Sequence, residues 1–294
     1  MKATMWTFCD RLALIGLVWA GIHTGNTWAR ERLVEEFHQA YPLATNGEIR
    51  VENVNGRVRI TAWERVEVQV DAVKSADTEA DLKATRIVID SHAGAISLRT
   101  KQPDAGSGWK WWRGRHNSPS VDYDLKVPAG ARLKKIENVN GGVDIKSVTG
   151  AVHAGTVNGR LELESVRGEV HAETVNGHLR ATGLAANARL NTVNGAIEAA
   201  FDSLSGVKSV SLETVNGAVQ LSLPASANAE ISATTLNGGI KADSPLAVKK
   251  DWPVGTELHC KLGQGGAHIK ANTVNGAIRV RLVGPPQPVQ VERE

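Results

Sequence analysis

The sequence predicts an all-β fold, namely a parallel β-helix or β-solenoid built from 9-residue half-coils, with 18 residues in each full coil. Three observations lead to this prediction. Glycine is abundant, at 29 of 294 residues, while aromatic residues make up only 4% of the chain, which favours tight turns over a bulky aromatic core. The tripeptide Val-Asn-Gly, once replaced by Leu-Asn-Gly, occurs eight times. Between Asn140 and Asn194 its copies are spaced 18 residues apart, which is typical of a repeat architecture.

The repeat unit is shorter than this spacing. Degenerate copies, Val148-Thr149-Gly150 and Val166-Arg167-Gly168, lie halfway between full copies, so the underlying unit is nine residues. After Asn194 the steps lengthen to 22, 21 and 38 residues, which predicts loops inserted into the same scheme. The asparagines of the full copies are Asn55, Asn140, Asn158, Asn176, Asn194, Asn216, Asn237 and Asn275.

An Asn-Gly pair is also the strongest short-range signal for a β-hairpin, so an antiparallel meander has to be compared with the solenoid. In a two-residue hairpin, the residues that flank the turn form a cross-strand pair on one face. Here Val157 precedes Asn158-Gly159, but the next apolar residue is Leu161, one position too late for such a pair. A solenoid corner removes the mismatch, because it can point the valine inward and let the next strand start its own alternation.

Alternation then predicts which side chains face the core in the coil that follows Asn158. The asparagine column is expected to hydrogen-bond from coil to coil, and the glycines to supply the positive φ angle of the corner. Six coils, from Asn158 onward, carry threonine two positions before the asparagine, and these threonines are expected to stack inside. The expected inward set is Leu161, Leu163, Ser165, Val166, Val170, Ala172, Thr174 and Val175. The expected outward set is Glu162, Glu164, Glu169, His171 and Glu173.

The remaining segments are assigned in chain order. Residues 1–29 are predicted to be a signal peptide, since a basic start precedes an apolar stretch of about ten residues, too short to span a bilayer. Residues 30–128 form an irregular β part, in which one short helix is expected at residues 77–85 with Asp77 as N-cap. Residues 129–283 form the Val-Asn-Gly solenoid, and residues 284–294, which contain three prolines, a disordered tail. The protein is therefore expected to be exported to the periplasm or the cell surface.

These residues resemble a family of bacterial secreted β-strand repeat proteins that carry the label adhesin, a domain of unknown function. The resemblance rests on residues 48–56, on residues 122–128, on the Val-Asn-Gly series and on its last copy at residues 273–278. It covers most of the chain after residue 29. The resemblance implies a β-helical envelope protein without enzymatic activity, and it transfers no catalytic or binding residues.

A Trp-rich loop, residues 103–119, fits the repeat least. Its candidate binding residues are Trp109, Trp111, Trp112, Arg113 and Arg115. Exposed tryptophan faces stack on sugar rings, and tryptophan beside arginine suits a membrane interface or an anionic glycan. The alternative is that the loop folds over one end of the solenoid and caps its open edge. The expected partners are therefore a glycan, a lipid surface or an envelope protein.

Other features point to no catalytic, metal or cofactor site. His153 and His171 are expected to stack on the outer face, but the next coil offers Arg189 where a metal would need a third ligand. Cys260 is expected to be a buried strand residue. With 34 basic against 31 acidic residues, the chain lacks the excess charge that drives binding to nucleic acid.

The sequence therefore predicts a non-enzymatic scaffold or binding surface of the cell envelope, with no cofactor and no transmembrane segment after residue 29. Two alternatives stay open. One is a polysaccharide-active β-helix enzyme, which would need converging carboxylates on one face. The outward column three positions after each glycine is instead mixed in sign, as a solvated surface is. The other is an envelope-stress accessory protein that acts through a protein partner.

Overall fold

The computed structural model describes residues 32–102, 118–243 and 255–284. These residues form 22 β-strands and one short α-helix, so the all-β prediction is confirmed. The strands lie in two sheets of eleven strands each. One continuous cluster of buried, mostly aliphatic side chains, which also includes Tyr123 and Phe201, fills the core of the described part.

The N-terminal part holds the least regular elements. In chain order they are β1 (Leu33–Pro42), β2 (Glu48–Asn55), β3 (Val58–Trp63), β4 (Glu67–Ala76), α1 (Glu79–Ala84), β5 (Arg86–His92), β6 (Ala95–Lys101) and β7 (Ser120–Pro128). The helix begins after Thr78, whose side chain accepts a hydrogen bond from the Asp81 amide. The predicted N-cap, Asp77, is thus wrong by one residue, because the Thr78 hydroxyl is the group that meets this free amide.

The repeat part alternates between longer and shorter strands. They are β8 (Arg132–Asn140), β9 (Val143–Lys146), β10 (Val152–Asn158), β11 (Leu161–Glu164), β12 (Val170–Asn176), β13 (Leu179–Leu184), β14 (Ala188–Asn194), β15 (Ile197–Phe201), β16 (Ser209–Asn216), β17 (Val219–Pro224), β18 (Ala229–Asn237), β19 (Ile240–Ala242), β20 (Thr256–Leu262), β21 (Ala267–Asn275) and β22 (Ile278–Val283). Sheet 1 has the order β1-β4-β7-β3-β9-β11-β13-β15-β17-β22-β19. Sheet 2 has the order β20-β18-β21-β16-β14-β12-β10-β8-β2-β6-β5.

Each coil contributes one strand to each sheet, and equivalent residues of neighbouring coils pair in parallel. In sheet 2, Thr156 of β10 lies beside Thr174 of β12, and Asn158 lies beside Asn176. The same register recurs along the sheet, so the repeat asparagines form one column and an antiparallel meander is excluded. In space the column runs Asn55, Asn140, Asn158, Asn176, Asn194, Asn216, Asn275 and Asn237.

The column does not follow chain order at its end. The coil β21–β22 lies between the coils β16–β17 and β18–β19, since β21 pairs with both β16 and β18. The long step before Asn275 is therefore a reversal of strand order and not only a loop inserted between successive coils. Antiparallel strands flank the terminal coils, with β20 on β18, β5 on β6 and β1 on β4. Such strands cover hydrogen-bonding edges that the parallel coils leave open.

The valine of each Val-Asn-Gly corner faces outward, which corrects the inward placement that the sequence predicts for Val175. Strand alternation continues through the threonine and the valine, and the chain bends only at Asn-Gly. The other corner of this coil differs, because Val166 is fully buried as predicted. Ser165, which is also predicted to face inward, is instead exposed, with a φ angle of 56°. The two nine-residue halves are thus not equivalent. The outward aliphatic column, each member 38–47% exposed, is Val139, Val157, Val175, Val193, Val215, Val274 and Leu236.

The corner glycines are needed mainly for space, which corrects the predicted role of a positive φ angle. Among the repeat glycines, that angle occurs at Gly56 and Gly141, but not at Gly177. A Cβ atom on Gly177 would overlap the carbonyl oxygen of Gly159 in the neighbouring coil. The same oxygen accepts a hydrogen bond from the hydroxyl of buried Thr174 at 3.3 Å. Each corner therefore packs backbone directly against backbone.

Three predicted segments fall wholly or mostly outside the described residues. They are the signal peptide at 1–29, the Trp-rich loop at 103–119 and the tail at 284–294. Their boundaries stay predictions. In the part of the chain that the structure describes, no helix is both long enough and apolar enough to cross a membrane.

Candidate functional site

A groove of about 980 Å³ lies on the outer face of sheet 2 near its C-terminal coils. It crosses β14, β16, β21, β18 and β20, so residues distant in sequence become neighbours. One row of outward side chains crosses the strands through paired positions. In spatial order this row is Arg189, Ser211, Lys270, Ser232 and His259.

The groove lies where small side chains occupy part of this row. In earlier coils the equivalent positions carry His153, His171 and Arg189. Further along, Ser211 and Ser232 take those positions, and they leave space between the longer neighbouring side chains. Serine hydroxyls both donate and accept hydrogen bonds, so they add polar groups to a groove surface that also includes aliphatic residues such as Ile231 and Ile269.

Two of the acidic groups that line the groove already have basic partners. Glu230 Oε2 lies 3.2 Å from His268 Nδ1, and Glu213 Oε1 lies 3.6 Å from Lys270 Nζ. The Ser211 hydroxyl also donates to Glu213 Oε1 at 3.2 Å. The Lys270 ammonium therefore offsets the charge of Glu213, while Glu230 has the His268 ring as its neighbour.

Three other charged groups of the lining form no ion pair within the described residues. Within the described residues, Arg189 and Lys261 form no ion pair, and both side chains are exposed. They lie on β14 and β20, the two outermost strands that line the groove. Glu169 is the acidic lining residue without an ion pair in the same described part. Within the described residues, the groove thus offers at each end a cation that forms no ion pair, and one carboxylate without an ion pair. The charge of Arg189 nevertheless contributes to lowering the pKa of Glu173.

Cys260 lines the groove but is poorly suited to act as a nucleophile. Burial raises the pKa of its thiol, which favours the unreactive protonated form. The side chain is half-buried rather than buried as the sequence predicts, because β20 is an edge strand with a neighbour on one side only. Nearby, His259 Nε2 lies 2.5 Å from Glu257 Oε1. Among the described residues, no group of three His, Cys, Asp or Glu side chains could hold a metal ion.

The predicted histidine stack is confirmed on the same face of sheet 2. The ring centroids of His153 and His171 are 5.6 Å apart, and their planes differ by 27°. His171 Nε2 also lies 2.8 Å from Glu173 Oε1, and Arg189 follows in the next coil. The two histidines therefore belong to the same row of outward side chains as Arg189, and this row extends into the groove.

A second cavity, about 490 Å³, lies on the outer face of sheet 1 at the N-terminal coils. Its polar groups are largely satisfied within the protein. Arg59 Nη1 pairs with Asp124 Oδ2 at 3.0 Å, and Asp122 Oδ1 accepts the Arg57 amide at 2.6 Å. Because these contacts join neighbouring strands, the charged groups of this cavity serve to hold the strands together.

The sequence-predicted binding residues cannot be placed against either cavity. Trp109, Trp111, Trp112, Arg113 and Arg115 lie outside the described residues. Sequence analysis also missed the groove on sheet 2. Its signal is a change from large basic side chains to serine at one ladder position, and this signal depends on knowing that β21 lies between β16 and β18.

The fold and this surface together define a β-solenoid protein with a groove on one outer face that is lined by charged, hydroxyl and aliphatic side chains. The chain belongs to the Toastrack family, DUF4097, whose model matches residues 39–281. No curated protein matches the chain.

Solved structures resemble it only distantly. A putative cell adhesion protein from Clostridium sporogenes ATCC 15579 has 13% identity and a TM-score of 0.38, covering 86% of this chain and 100% of that chain. A putative adhesin from Bacteroides fragilis NCTC 9343 has 12% identity and a TM-score of 0.32, covering 85% and 97%. A putative lipid binding protein from Parabacteroides distasonis ATCC 8503 has 11% identity and a TM-score of 0.28, covering 83% and 96%. A likeness at this level says nothing about ligands.

Proposed function

We propose that this protein is an exported, non-enzymatic binding scaffold of the cell envelope, whose sheet 2 groove holds an extended acidic polymer such as an acidic polysaccharide. The observation that carries the proposal is a pair of exposed cations, Arg189 and Lys261, which form no ion pair within the described residues and lie at the two ends of a groove of about 980 Å³. A ligand with repeated acidic groups can contact both cations at once, whereas a single small anion reaches one.

The dimensions of the groove support an extended ligand. Its two end strands are four strand spacings apart, or roughly 19 Å at about 4.8 Å for each spacing. Between the ends, Ser211 and Ser232 can hydrogen-bond to hydroxyl or carboxylate oxygens. No Phe, Tyr or Trp is among the groove's described lining residues. Recognition there would therefore depend on charge and hydrogen bonding, without stacking on sugar rings.

The same contacts favour binding over turnover. Glycoside hydrolysis uses two carboxyl groups on either side of the scissile bond, one of which must be free to donate a proton. In the groove, Glu213 and Glu230 are engaged by Lys270 and His268. The raised pKa of Cys260 disfavours the thiolate that nucleophilic catalysis would require.

Calorimetric titration with polygalacturonate, an acidic polysaccharide, tests the proposal. Replacing Arg189 and Lys261 together by Ala should weaken binding by roughly 5- to 30-fold, as expected for two exposed charge contacts of up to about 1 kcal/mol each. Added salt should weaken binding by the unchanged protein. Replacing Glu169 by Gln should strengthen binding, because it removes the free carboxylate.

A matched control is available on sheet 1. Arg279 and Lys241 are exposed, occupy neighbouring coils and form no ion pair within the described residues, but line neither cavity. Their double replacement by Ala changes the net charge equally and should leave affinity unchanged. An equal loss of affinity in both double variants would mean that binding depends on the overall charge of the protein and not on the groove. Cleavage of the polymer by the protein would favour the enzyme alternative.

The Trp-rich loop is a second candidate contact surface, proposed from the sequence alone. Replacing Trp109, Trp111 and Trp112 by Ala should abolish binding to vesicles of anionic lipid while leaving the melting temperature unchanged. If the loop instead caps the solenoid, the same variant should lose several kcal/mol of stability, as large aromatic truncations do. Export is tested separately by fractionation and by sequencing the mature N-terminus, which is expected at Arg30.

A further inference from the structure

The asparagine ladder holds the reactive atoms of each interior Asn-Gly pair. At Asn176, the Nδ2 atom donates to Asn158 Oδ1 at 3.0 Å, and the Oδ1 atom accepts from Asn194 Nδ2 at 2.9 Å. The next backbone amide, Gly177 N, donates to the Asn194 carbonyl oxygen at 3.1 Å. Three hydrogen bonds therefore fix the side chain and the amide that follows it.

In the part of the chain that the structure describes, the last rung, Asn237, keeps one of these three bonds. Its Nδ2 atom donates to Asn275 Oδ1 at 2.8 Å. Within the described residues, no group donates to its Oδ1 atom, and Gly238 N has no acceptor. Asn237, Gly238 and Gly239 are all exposed to solvent.

The opposite end of the ladder is closed. Asn55 Nδ2 donates to Gln102 Oε1 at 3.3 Å and to the Pro119 carbonyl oxygen at 3.1 Å. Its Oδ1 atom accepts from Asn140 Nδ2 at 2.8 Å, and Gly56 N donates to the Asn140 carbonyl oxygen at 3.0 Å. The two ends of the column therefore differ in how firmly they hold an Asn-Gly pair.

Asparagine followed by glycine is prone to spontaneous deamidation, because glycine has no side chain to shield its backbone nitrogen. That nitrogen attacks the asparagine Cγ atom, the bond from Cγ to Nδ2 breaks, and ammonia leaves with the proton from the backbone amide. Water then opens the succinimide ring to aspartate or isoaspartate. The reaction requires the side chain to rotate and the amide to give up its proton, and both changes must first break the ladder's hydrogen bonds.

The geometry points to Asn237 as a spontaneous modification site, the Asn-Gly pair of the described column that deamidates while the folded protein keeps the others intact. The product carboxylate can no longer donate to Asn275 Oδ1. It would also place a negative charge at the end of the column, on the last residue of β18, the strand that carries Glu230 and Ser232 of the groove. The modification would thus loosen the outer coil.

Peptide mapping by mass spectrometry tests this inference in the full-length folded protein during incubation at mildly alkaline pH. The Asn237 peptide should gain the mass that marks conversion of an amide to a carboxylate about tenfold faster than the peptides of Asn158, Asn176 and Asn194. That ratio corresponds to a barrier difference of about 1.4 kcal/mol. Chemically denatured protein is the control, in which the same peptides should convert at similar rates.

Similar rates in the folded protein, or slower conversion at Asn237 than at the interior pairs, would overturn the inference. If the difference in rate persisted in denaturant, the local sequence and not the ladder would be its cause, and the inference would be overturned as well. Because the readout is chemical, the result does not depend on whether the groove binds a polymer.

Discussion

Asn158 donates its side-chain amide to Asn140 Oδ1 across neighbouring coils at 2.9 Å. Both residues are exposed, so water can replace this hydrogen bond, and its net contribution to stability is at the low end of the range for such bonds. The parts of the corner that water cannot replace lie beneath it. They are the backbone approach between stacked glycines and the buried threonine hydroxyls.

The first prediction concerns the space at the corner. Gly177→Ala should lower the free energy of unfolding by about 1–3 kcal/mol or more, because its Cβ atom would overlap the Gly159 carbonyl oxygen and both partners are backbone. Gly155→Ala is the control, since its added Cβ atom would lie 3.7 Å from the Glu173 carbonyl oxygen, an ordinary van der Waals contact. Denaturant unfolding measures both variants. Equal stability of the two would contradict the role of close packing.

The second prediction separates the inner and outer columns. Thr174→Val keeps the shape of the side chain but leaves the Gly159 carbonyl oxygen without its hydroxyl donor, which should cost about 1–3 kcal/mol. Val175→Thr changes the exposed neighbouring column and should stay within about 0.5 kcal/mol of the unchanged protein. Thermal and denaturant unfolding should rank the two variants in this order. The opposite ranking would mean that the valine, not the threonine, supports the corner.

Periodicity alone could predict most of this fold. The recurrence of Asn-Gly set the coil length, and the late position of Leu161 excluded a hairpin. The same pattern placed Val175 on the wrong face, because a corner residue can continue the strand alternation or leave it, and the sequence pattern is compatible with both. Only backbone geometry distinguishes the outward Val175 from the buried Val166.

The order of the coils could not be predicted from the sequence, for a related reason. Stacking requires that equivalent positions match, and the coil ending at Asn275 matches those ending at Asn216 and Asn237 equally well. The groove depends on this order, because it brings Lys270 between Ser211 and Ser232. A site assembled from strands that are not consecutive leaves no local motif.

A third prediction concerns the ionisation of His38 on β1. A hydrogen bond to Asp71, 2.9 Å away, and a weaker one to Glu36 raise the pKa of this histidine above its ordinary value of about 6.5. NMR titration should show the raised pKa, and Asp71→Asn should bring it down. The stabilisation is fully present below the ordinary pKa and is lost as the pH rises through the raised one. It should stay below about 1 kcal/mol, since the side chain is largely exposed.

A control on the same titration is the Glu36→Gln variant. Glu36 lies farther from the ring, at 3.5 Å, so its replacement should lower the pKa of His38 less than Asp71→Asn does. An unchanged pKa in Asp71→Asn would mean that β1 is not held against β4 at this position.

The last prediction concerns Tyr123, which is fully buried in the N-terminal coils and linked to a polar network. Its hydroxyl lies 2.9 Å from Thr100 Oγ1, which in turn donates to Asn53 Oδ1 at 2.9 Å. Burial raises the pKa of Tyr123 to about 12, although the Thr100 hydrogen bond acts in the opposite direction. The folded protein therefore keeps this phenol neutral at a pH where an unfolded tyrosine, with a pKa of about 10, ionises.

The sign of the resulting pH dependence follows from proton binding. Above about pH 10 the unfolded state has lost the Tyr123 proton while the folded state retains it, so stability falls as the pH rises towards 12. Tyr123→Phe should remove this part of the alkaline loss, while costing about 1 kcal/mol near neutral pH for the lost hydrogen bond. The chain contains two tyrosines, and burial also raises the pKa of Tyr41, so Tyr41→Phe is the matched variant. Absorbance titration of each single variant should show Tyr123 ionising at the higher pH of the two, and ionisation of Tyr123 near pH 10 in the folded protein would contradict its burial in this network.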